Sequence, residues 1–271
     1  MSDRRIPFTI PVKPWFCDHS FAGTIVLPAV ETMLLLAAKV AELHPEVDVR
    51  VMENVRFAKF LEIPPVTATM IGLVECEVVT DGRVQVKLLS RTQCKAMSRI
   101  KEHGAVDFSP ASGHSQPPPS IDLAPPMGPV TEITVEYLYR ELVPFGPHYQ
   151  TLQETLYLSG DKAWGRLKAP ALSADPVQAI IGSPFPLDGA LHAACVLGQQ
   201  AVGFIPFPVG FDRRIITRPT QPGCYYQTRV QQVMQTDDAL VFDLVIAGED
   251  GQVYETVTGV RMRDVSGAMK K

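Results

Sequence analysis

The sequence predicts an α+β protein made of two similar halves, each with one buried helix and several antiparallel strands. Two strongly apolar segments, at residues 30–41 and 187–202, are apolar on most sides at helical spacing, so both helices must be buried. Strand-like runs flank each helix. We expect each half to wrap an antiparallel sheet around its helix, and the two sheets to join side by side into one continuous sheet.

In the first half, Pro28 suits the first position of the helix, because the first N–H groups of a helix have no internal partner. Residues 1–15 carry three prolines and predict extended chain or an edge strand. A His-Pro pair after the helix ends it, and the Thr-Asp-Gly-Arg sequence at 80–83 predicts a tight hairpin. The strands are expected at residues 49–61, 68–79, 83–91 and 98–108.

The composition changes at residues 109–129, where prolines are frequent and no apolar period is found. This segment predicts a semi-rigid linker between an N-terminal domain (1–108) and a C-terminal domain (130–271). The second half is expected to begin with a short helix at 135–142, capped by Thr131 or Thr134. Its strands are predicted at residues 151–158, 163–168, 225–235, 239–247 and 253–263.

Composition narrows the class of protein. A hydrophobic fraction of 46% with 20% charged residues is typical of soluble globular proteins, and the net charge of −4 gives no reason to expect nucleic acid or a membrane as a partner. The five cysteines are widely spaced, which argues against a disulfide framework or a zinc site. The N-terminus lacks the apolar core of a signal peptide, and no apolar run could span a bilayer. We expect a cytoplasmic protein without a bound metal.

Three stretches carry residue types that perform acid–base chemistry. His19 stands before the first buried helix, and Asp188 falls in the first turn of the second, where the helix dipole favours a carboxylate. His192 lies four residues after Asp188 and shares its helix face. An imidazole in an otherwise apolar helix is costly unless it is paired. The third stretch, residues 145–149, is a turn that contains a histidine and a tyrosine.

Each of these residues also has a purely structural interpretation. His19 would belong to a loop that caps the next segment, Asp188 would be a cap or first-turn residue, and His192 would be its satisfied core partner. Chemistry is favoured because the histidine and the aspartate stand at equivalent places in the two halves, each at the mouth of a buried helix. Tyr149 and Phe21 are expected to shape a pocket rather than to react.

The order of these motifs resembles the dehydratase domains of modular polyketide synthases and the related domains of polyunsaturated fatty acid synthases. The resemblance rests on H-x3-G-x4-P, formed by His19, Gly23 and Pro28, on G-P-x-Tyr at 146–149 and on L-D-x3-H at 187–192. These motifs span nearly the whole chain. Their combination is specific, whereas each one alone is weak.

The resemblance implies a double-hotdog fold, in which His19 of the first hotdog faces Asp188 of the second across a substrate tunnel. The family removes water from a 3-hydroxyacyl thioester, carried on the phosphopantetheine arm of an acyl carrier protein, to give a 2-enoyl thioester in polyketide or polyunsaturated fatty acid biosynthesis. His19 would take a proton from C2, and a protonated Asp188 would give one to the C3 hydroxyl, with His192 orienting either group. No cofactor of the protein's own is implied.

The resemblance also implies contacts with the substrate. Backbone N–H groups around Gly23, near the opening of the first helix, would polarise the thioester carbonyl. The sequence Ile-Pro-Phe at 205–207 is similar to a Leu-Pro-Phe loop of the family. One departure is Phe145, which replaces the tyrosine usual before Gly-Pro, so that hydroxyl is missing. The residues expected to bind substrate are Phe21, Gly23, Pro28, Gly146, Pro147, Tyr149 and Phe207.

Other functions fit the same layout. An isomerase or an aldol cyclase would use His19 and Asp188 but redirect the proton transfer. A non-catalytic domain would only dock carrier-bound chains, and the presence of both residues argues against it. The residue pattern leaves open the acyl chain, the stereochemistry, the choice of carrier or coenzyme A thioester, and whether the chain is free-standing or an excised domain. A monomer and a homodimer are both compatible, because a double hotdog already contains the pairing that single hotdogs reach by dimerising.

Overall fold

The computed structural model of the protein describes residues 5–21, 23–79, 82–94, 97–110, 128–236 and 238–265. Most of the predicted linker lies outside these ranges, as does half of the predicted turn at 80–83. Residues 109–110, placed in the linker by the sequence pattern, complete a long strand instead.

The first half contains one long helix and seven strands. In chain order they are β1 (Ile6–Pro11), β2 (Ser20–Phe21), β3 (Thr24–Ile25), α1 (Ala29–Leu43), β4 (Val47–Phe57), β5 (Thr69–Val78), β6 (Val84–Cys94) and β7 (Met97–Pro110). A 3-10 turn at Pro14–Asp18 leads into the small β2–β3 hairpin. The helix and the meander agree with the sequence prediction, and β1 is the predicted edge strand.

Within its described residues, the second half repeats this plan with seven strands of its own and two additional short helices. Its elements are β8 (Thr131–Thr134), α2 (Val135–Tyr137), β9 (Leu152–Ser159), β10 (Lys162–Lys168), α3 (Gln178–Ile181), α4 (Phe185–Gln199), β11 (Pro206–Ile216), β12 (Tyr225–Gln235), β13 (Leu240–Ala247) and β14 (Val253–Asp264). The helix expected at 135–142 is α2 followed by one wide π-helical turn, Leu138–Leu142. Of the two cap candidates, the Thr134 hydroxyl accepts the N–H of Tyr137.

Twelve strands form one continuous antiparallel sheet, as the sequence pattern predicts, rather than two separate sheets. The order across the sheet is β1-β5-β6-β7-β4-β11-β14-β13-β12-β10-β9-β8. The halves meet where β4 pairs with β11, with Val55 opposite Phe211. Each long helix leads directly into one of these two strands, because β4 is the first strand after α1 and β11 is the first strand after α4.

Both long helices are buried, for the reason that their sequences predict. Every residue of α4 from Phe185 to Gly198 is buried, and α4 packs on β9 to β13. In α1 the buried positions include Met33 and Val40, and this helix packs on β4, β5, β6 and β7. One hydrophobic core cluster contains residues of both helices and both halves of the sheet. Nowhere in the described part of the chain does a helix have the length and apolar character needed to cross a bilayer.

Strand β11 was not predicted, although it lies at the centre of the sheet. It begins with Pro206 and Pro208, and proline is normally excluded from central strands because it has no N–H to donate. The structure accommodates both, because this end of β11 pairs only with β14, and pairing with β4 begins at Gly210. The prolines therefore face a side on which no strand requires their N–H groups.

Candidate active site

His19 lies between the 3-10 turn and strand β2, and one ring nitrogen is fixed by the backbone. Its Nδ1 is 3.2 Å from the carbonyl oxygen of Val26. A carbonyl can only accept a hydrogen bond, so Nδ1 must carry the proton. In the neutral ring this leaves Nε2 with a free lone pair. The local chain thus presents His19 as a base through Nε2.

The surroundings of His19 favour its neutral form. Burial lowers the pKa of His19 below the ordinary value of 6.5, while the Asp188 carboxylate raises it and the His192 imidazole lowers it further. The ring stacks on Phe145 at 4.5 Å between centroids and meets the edge of Tyr149 at 5.1 Å. The imidazole is therefore both oriented and ready to accept a proton near neutral pH.

Asp188 and His192 form a buried pair in the first two turns of α4. The helix places them four residues apart on one face, and Nε2 of His192 is 3.0 Å from Oδ2 of Asp188. Both residues are buried. Neither atom has an aligned hydrogen-bond partner within the described residues. Unsatisfied polar atoms in a buried site are costly, so they mark a place where a polar ligand group would be stabilised.

The ring of Phe145 brings the two halves of the site together. It stacks on His19 at 4.5 Å and contacts His192 at 5.1 Å between centroids. The Asp188 charge also raises the pKa of His19 and the His192 imidazole lowers it, as expected of neighbouring groups. Phe145 therefore contacts the imidazole of His19 from the first half and that of His192 from the second.

Asp18 fastens the loop of His19 to the turn that carries Phe145, a link that the sequence pattern did not predict. Its backbone oxygen accepts the N–H of Gly146 at 2.8 Å. Its carboxylate lies 3.0 Å from the backbone nitrogen and 2.5 Å from Nδ1 of His148. Burial raises the pKa of Asp18, but the hydrogen bonds from His148 outweigh it and hold the pKa below its usual value. His148, the histidine of the 145–149 turn, therefore holds Asp18 in place.

A second unpredicted link joins the halves beside the first helix. Lys13 is 2.9 Å from the buried carboxylate of Glu31, in the first turn of α1, and 2.7 Å from Asp175 in the second half. Burial lowers the pKa of Lys13, but its two carboxylate partners more than offset this and raise it overall. Because Lys13 precedes the 3-10 turn and His19, this link helps to fix the approach to the site.

Tyr139 is the third residue that the sequence pattern did not single out. Its hydroxyl lies 3.4 Å from Nδ1 of His192 and accepts the backbone N–H of Leu152 at 2.9 Å. Burial raises the pKa of Tyr139 far above its ordinary value. In the sequence, Tyr139 occupies a position on the apolar face of the short predicted helix. Only its hydroxyl could have distinguished it from an ordinary core residue.

The expected substrate-binding residues fall into two groups. Phe21 and Phe207 pack edge to face at 4.5 Å, which joins the β2–β3 hairpin to the start of β11. Pro147 follows Gly146 in the turn that Asp18 holds, and Tyr149, next to His19, is fully buried. The remaining two lie apart. Pro28 is the N-cap of α1, and Gly23 is exposed in the hairpin turn with a φ of +79°.

No group of three or more His, Cys, Asp or Glu side chains is arranged to hold a metal ion within the described ranges. The polar groups of the site are instead two imidazoles and one carboxylate. Such a set can transfer protons, with one group accepting and another donating. The site brings titratable side chains from the two halves of one sheet together, an arrangement suited to acid–base chemistry.

Comparison with solved structures identifies this architecture as a hotdog-like dehydratase fold with a large antiparallel sheet. A dehydratase domain of a trans-AT polyketide synthase from Brevibacillus brevis matches with a TM-score of 0.76 and 16% identity, over 97% of this chain and 94% of that chain. The dehydratase domain of the CurH module of curacin polyketide synthase matches with 0.74 and 18%, over 98% and 93%. A dehydratase structure for the borrelidin and fluvirucin polyketide synthases matches with 0.71 and 22%, over 96% and 88%.

Sequence comparison establishes the family. The family model described as "Polyketide synthase dehydratase N-terminal domain" matches residues 125–270. The chain therefore belongs to the polyketide synthase dehydratase family. No curated protein matches it. Its activity is that of a hydro-lyase, a dehydratase of polyketide biosynthesis that acts on 3-hydroxyacyl thioesters.

Proposed function

We propose that His19 is the base and Asp188 the acid of this dehydratase, which converts a 3-hydroxyacyl thioester into a 2-enoyl thioester. The observation that supports this most strongly is the arrangement around Phe145. The same ring contacts a histidine with a free Nε2 and a second histidine that is paired with a buried carboxylate. A substrate between them would expose C2 to the base and its C3 hydroxyl to the acid.

The base step requires that His19 be neutral and correctly oriented. Its lowered pKa and the contact of Nδ1 with Val26 satisfy both conditions. Nε2 takes the proton from C2, and the electron pair of that C–H bond forms the C2–C3 double bond. A positioned base of this kind contributes about 10²–10⁴-fold to a rate.

The acid step is assigned to Asp188, because hydroxide is a poor leaving group. Its carboxyl gives a proton to the C3 hydroxyl as the C–O bond breaks, and water departs. His192, at 3.0 Å from Oδ2, orients the carboxyl. A neighbour supports the importance of histidine in these proteins, since the CurJ dehydratase was solved as an inactive mutant in which a histidine is replaced by phenylalanine.

The thioester carbonyl must be polarised for C2 to lose its proton. We assign this to backbone N–H groups at the start of α1 and in the neighbouring hairpin turn at Gly23, since Pro28 caps a helix whose first N–H groups have no partner within it. The other residues proposed to contact the acyl chain or its thioester are Phe21, Gly146, Pro147, Tyr149 and Phe207.

We also propose the finer details of the setting. The substrate arrives on the phosphopantetheine arm of an acyl carrier protein in the cytoplasm, and the protein binds no cofactor of its own. Residues 1–110 and 130–271 each form one hotdog around a long helix, with 111–129 as the linker between them. The protein acts as a monomer or a homodimer. The pathway is polyketide or polyunsaturated fatty acid biosynthesis.

Mass spectrometry of the thioester product tests the two roles. A 3-hydroxyacyl thioester, carrier-bound or as a short pantetheine surrogate, is incubated with the wild type and with His19→Ala and Asp188→Asn. The half-buried His44 and the exposed Asp238, in other parts of the fold, provide controls of the same residue types, His44→Ala and Asp238→Asn. We expect loss of one water with the wild type and both controls, and none with either site variant.

Two results would overturn the proposal. Dehydration by both site variants at the wild-type rate would remove His19 and Asp188 from the mechanism. An unchanged mass with the wild type across several chain lengths would indicate an isomerase, a cyclase or a docking domain. A product of equal mass but altered retention would then identify one of the first two.

A further inference from the structure

Tyr139 contacts the acid side of the site from outside it. Its hydroxyl is 3.4 Å from Nδ1 of His192, and the other nitrogen of that ring is 3.0 Å from Asp188. All three side chains are buried, so water does not compete for these contacts. The hydroxyl belongs to the π-helical turn after α2, while the other two residues belong to α4.

The direction of the hydrogen bond between Tyr139 and His192 follows from the other contact of the hydroxyl. Its oxygen already accepts the backbone N–H of Leu152 at 2.9 Å. The hydroxyl proton has to point elsewhere, and Nδ1 of His192 is an acceptor within reach. A neutral imidazole that accepts at Nδ1 carries its own proton on Nε2, the nitrogen that faces Asp188.

We infer that Tyr139 is a positioning residue, whose hydroxyl holds His192 in the tautomer that presents an N–H to Asp188. This inference rests on the proposed role of Asp188 as the acid. A proton on Nε2, 3.0 Å from Oδ2, leaves no lone pair on that nitrogen to accept the proton of Asp188, so this proton stays available to the substrate. The opposite tautomer would present a lone pair to Asp188 and accept that proton itself. The hydroxyl of Tyr139 thus determines, through the tautomer of His192, whether Asp188 can give its proton to the substrate.

The contact with Tyr139 also explains how His192 is oriented although residue 145 is a phenylalanine without a hydroxyl. The tyrosine that the related dehydratases carry before Gly-Pro is absent here, so the turn supplies no hydroxyl. Tyr139 contacts His192 from a different element, and the apolar ring of Phe145 lies 5.1 Å from the same imidazole between centroids. The orientation of His192 is therefore fixed by one hydrogen bond and one aromatic contact.

The test replaces Tyr139 with phenylalanine, and Tyr226→Phe is its matched control. Tyr226 is also buried, and its hydroxyl likewise accepts a backbone N–H, from Gln221 at 2.6 Å. Both variants lose the same kind of hydrogen bond, so a merely structural effect would appear in both. Only Tyr139→Phe removes a contact with an imidazole.

The primary measurement is NMR of protein labelled with ¹⁵N-histidine, with the His192 signals assigned by their absence in His192→Gln. We expect the Nε2–H tautomer in the wild type and in Tyr226→Phe, and a mixture or the Nδ1–H tautomer in Tyr139→Phe. An Nδ1–H tautomer in the wild type, or an unchanged tautomer in Tyr139→Phe, would overturn the inference.

Kinetics separate this inference from the proposed function. Loss of one hydrogen bond to the acid side should lower kcat of Tyr139→Phe about tenfold with little change in KM, while Tyr226→Phe keeps the wild-type kcat. If Asp188→Asn is inactive but Tyr139→Phe has the wild-type kcat, the positioning role is wrong and the proposed function stands. If Asp188→Asn is fully active, the proposed function itself fails, and the NMR result still reports on the tautomer alone.

Discussion

Replacing Gly146 with alanine tests whether the link to Asp18 positions the base. The backbone at Gly146 has φ of −74° and ψ of 175°, which any residue adopts, so alanine adds no backbone strain. Space is the constraint. A Cβ at this position would lie 2.5 Å from Oδ1, 2.6 Å from Cγ and 2.7 Å from Cβ of Asp18.

The size of the effect follows from these distances. Ordinary van der Waals contact begins at 3.4 Å, so Asp18 and the turn must separate by at least 3.4 − 2.5 = 0.9 Å. Asp18 directly precedes His19, and the same turn carries Phe145, which stacks on His19. A misplacement of about 1 Å can reduce a rate about 10²-fold. We expect kcat/KM of Gly146→Ala to fall by about that factor, with a loss of about 1–3 kcal/mol in the free energy of unfolding from overpacking.

The assay measures conversion of a 3-hydroxyacyl thioester to the enoyl product and, on the same samples, urea unfolding. Gly203→Ala is the control, because no atom lies within 4 Å of the position its Cβ would take. It should match the wild type in both measurements. A Gly146→Ala enzyme within about twofold of the wild type in kcat/KM would refute the reasoning that this contact positions His19.

Three further predictions concern ionisable groups. Burial lowers the pKa of His19, so kcat/KM should stay constant down to an inflection below pH 6.5 and fall only at lower pH. The stability that the neutral ring contributes is present above pH 6.5. It decreases as the pH falls through the lowered pKa. An inflection at or above 6.5 would contradict this. Glu255→Gln leaves the buried guanidinium of Arg214 without the carboxylate that lies 2.7 Å from it. The free energy of unfolding in urea should fall by about 3–5 kcal/mol. A fall below about 1 kcal/mol would show that another group compensates the charge of Arg214. Burial raises the pKa of Cys195 to about 12, so iodoacetamide at pH 8 should alkylate the exposed Cys17 and leave Cys195 unmodified in mass spectra of peptides.

The sequence was sufficient where one element is determined by its own residues. The two buried helices could be predicted because their apolar positions cover most sides, and they begin and end within three residues of the expected bounds. The meander of β5, β6 and β7 follows from alternating polarity. The Asp188–His192 pair could also be predicted, since a helix brings residues four apart onto one face.

The sequence was insufficient where a contact joins distant segments. Asp18 and His148 are separated by 130 residues, and neither local pattern indicates the other. Strand β11 was missed because its prolines oppose the strand assignment, and only the register with β4 and β14 explains why they are tolerated. These contacts depend on which distant segments pair with each other, and the sequence of one segment alone does not specify its partner.

The position of Phe145 illustrates how a departure from a family pattern acquires a physical meaning. In the sequence it is only a missing hydroxyl. In the structure its ring contacts both imidazoles of the site, 4.5 Å from His19 and 5.1 Å from His192. An apolar ring packed against two imidazoles makes their surroundings less polar, which disfavours a positive charge on either. The substitution therefore removes a donor from the turn and strengthens the condition that the reaction needs most, which is a neutral His19.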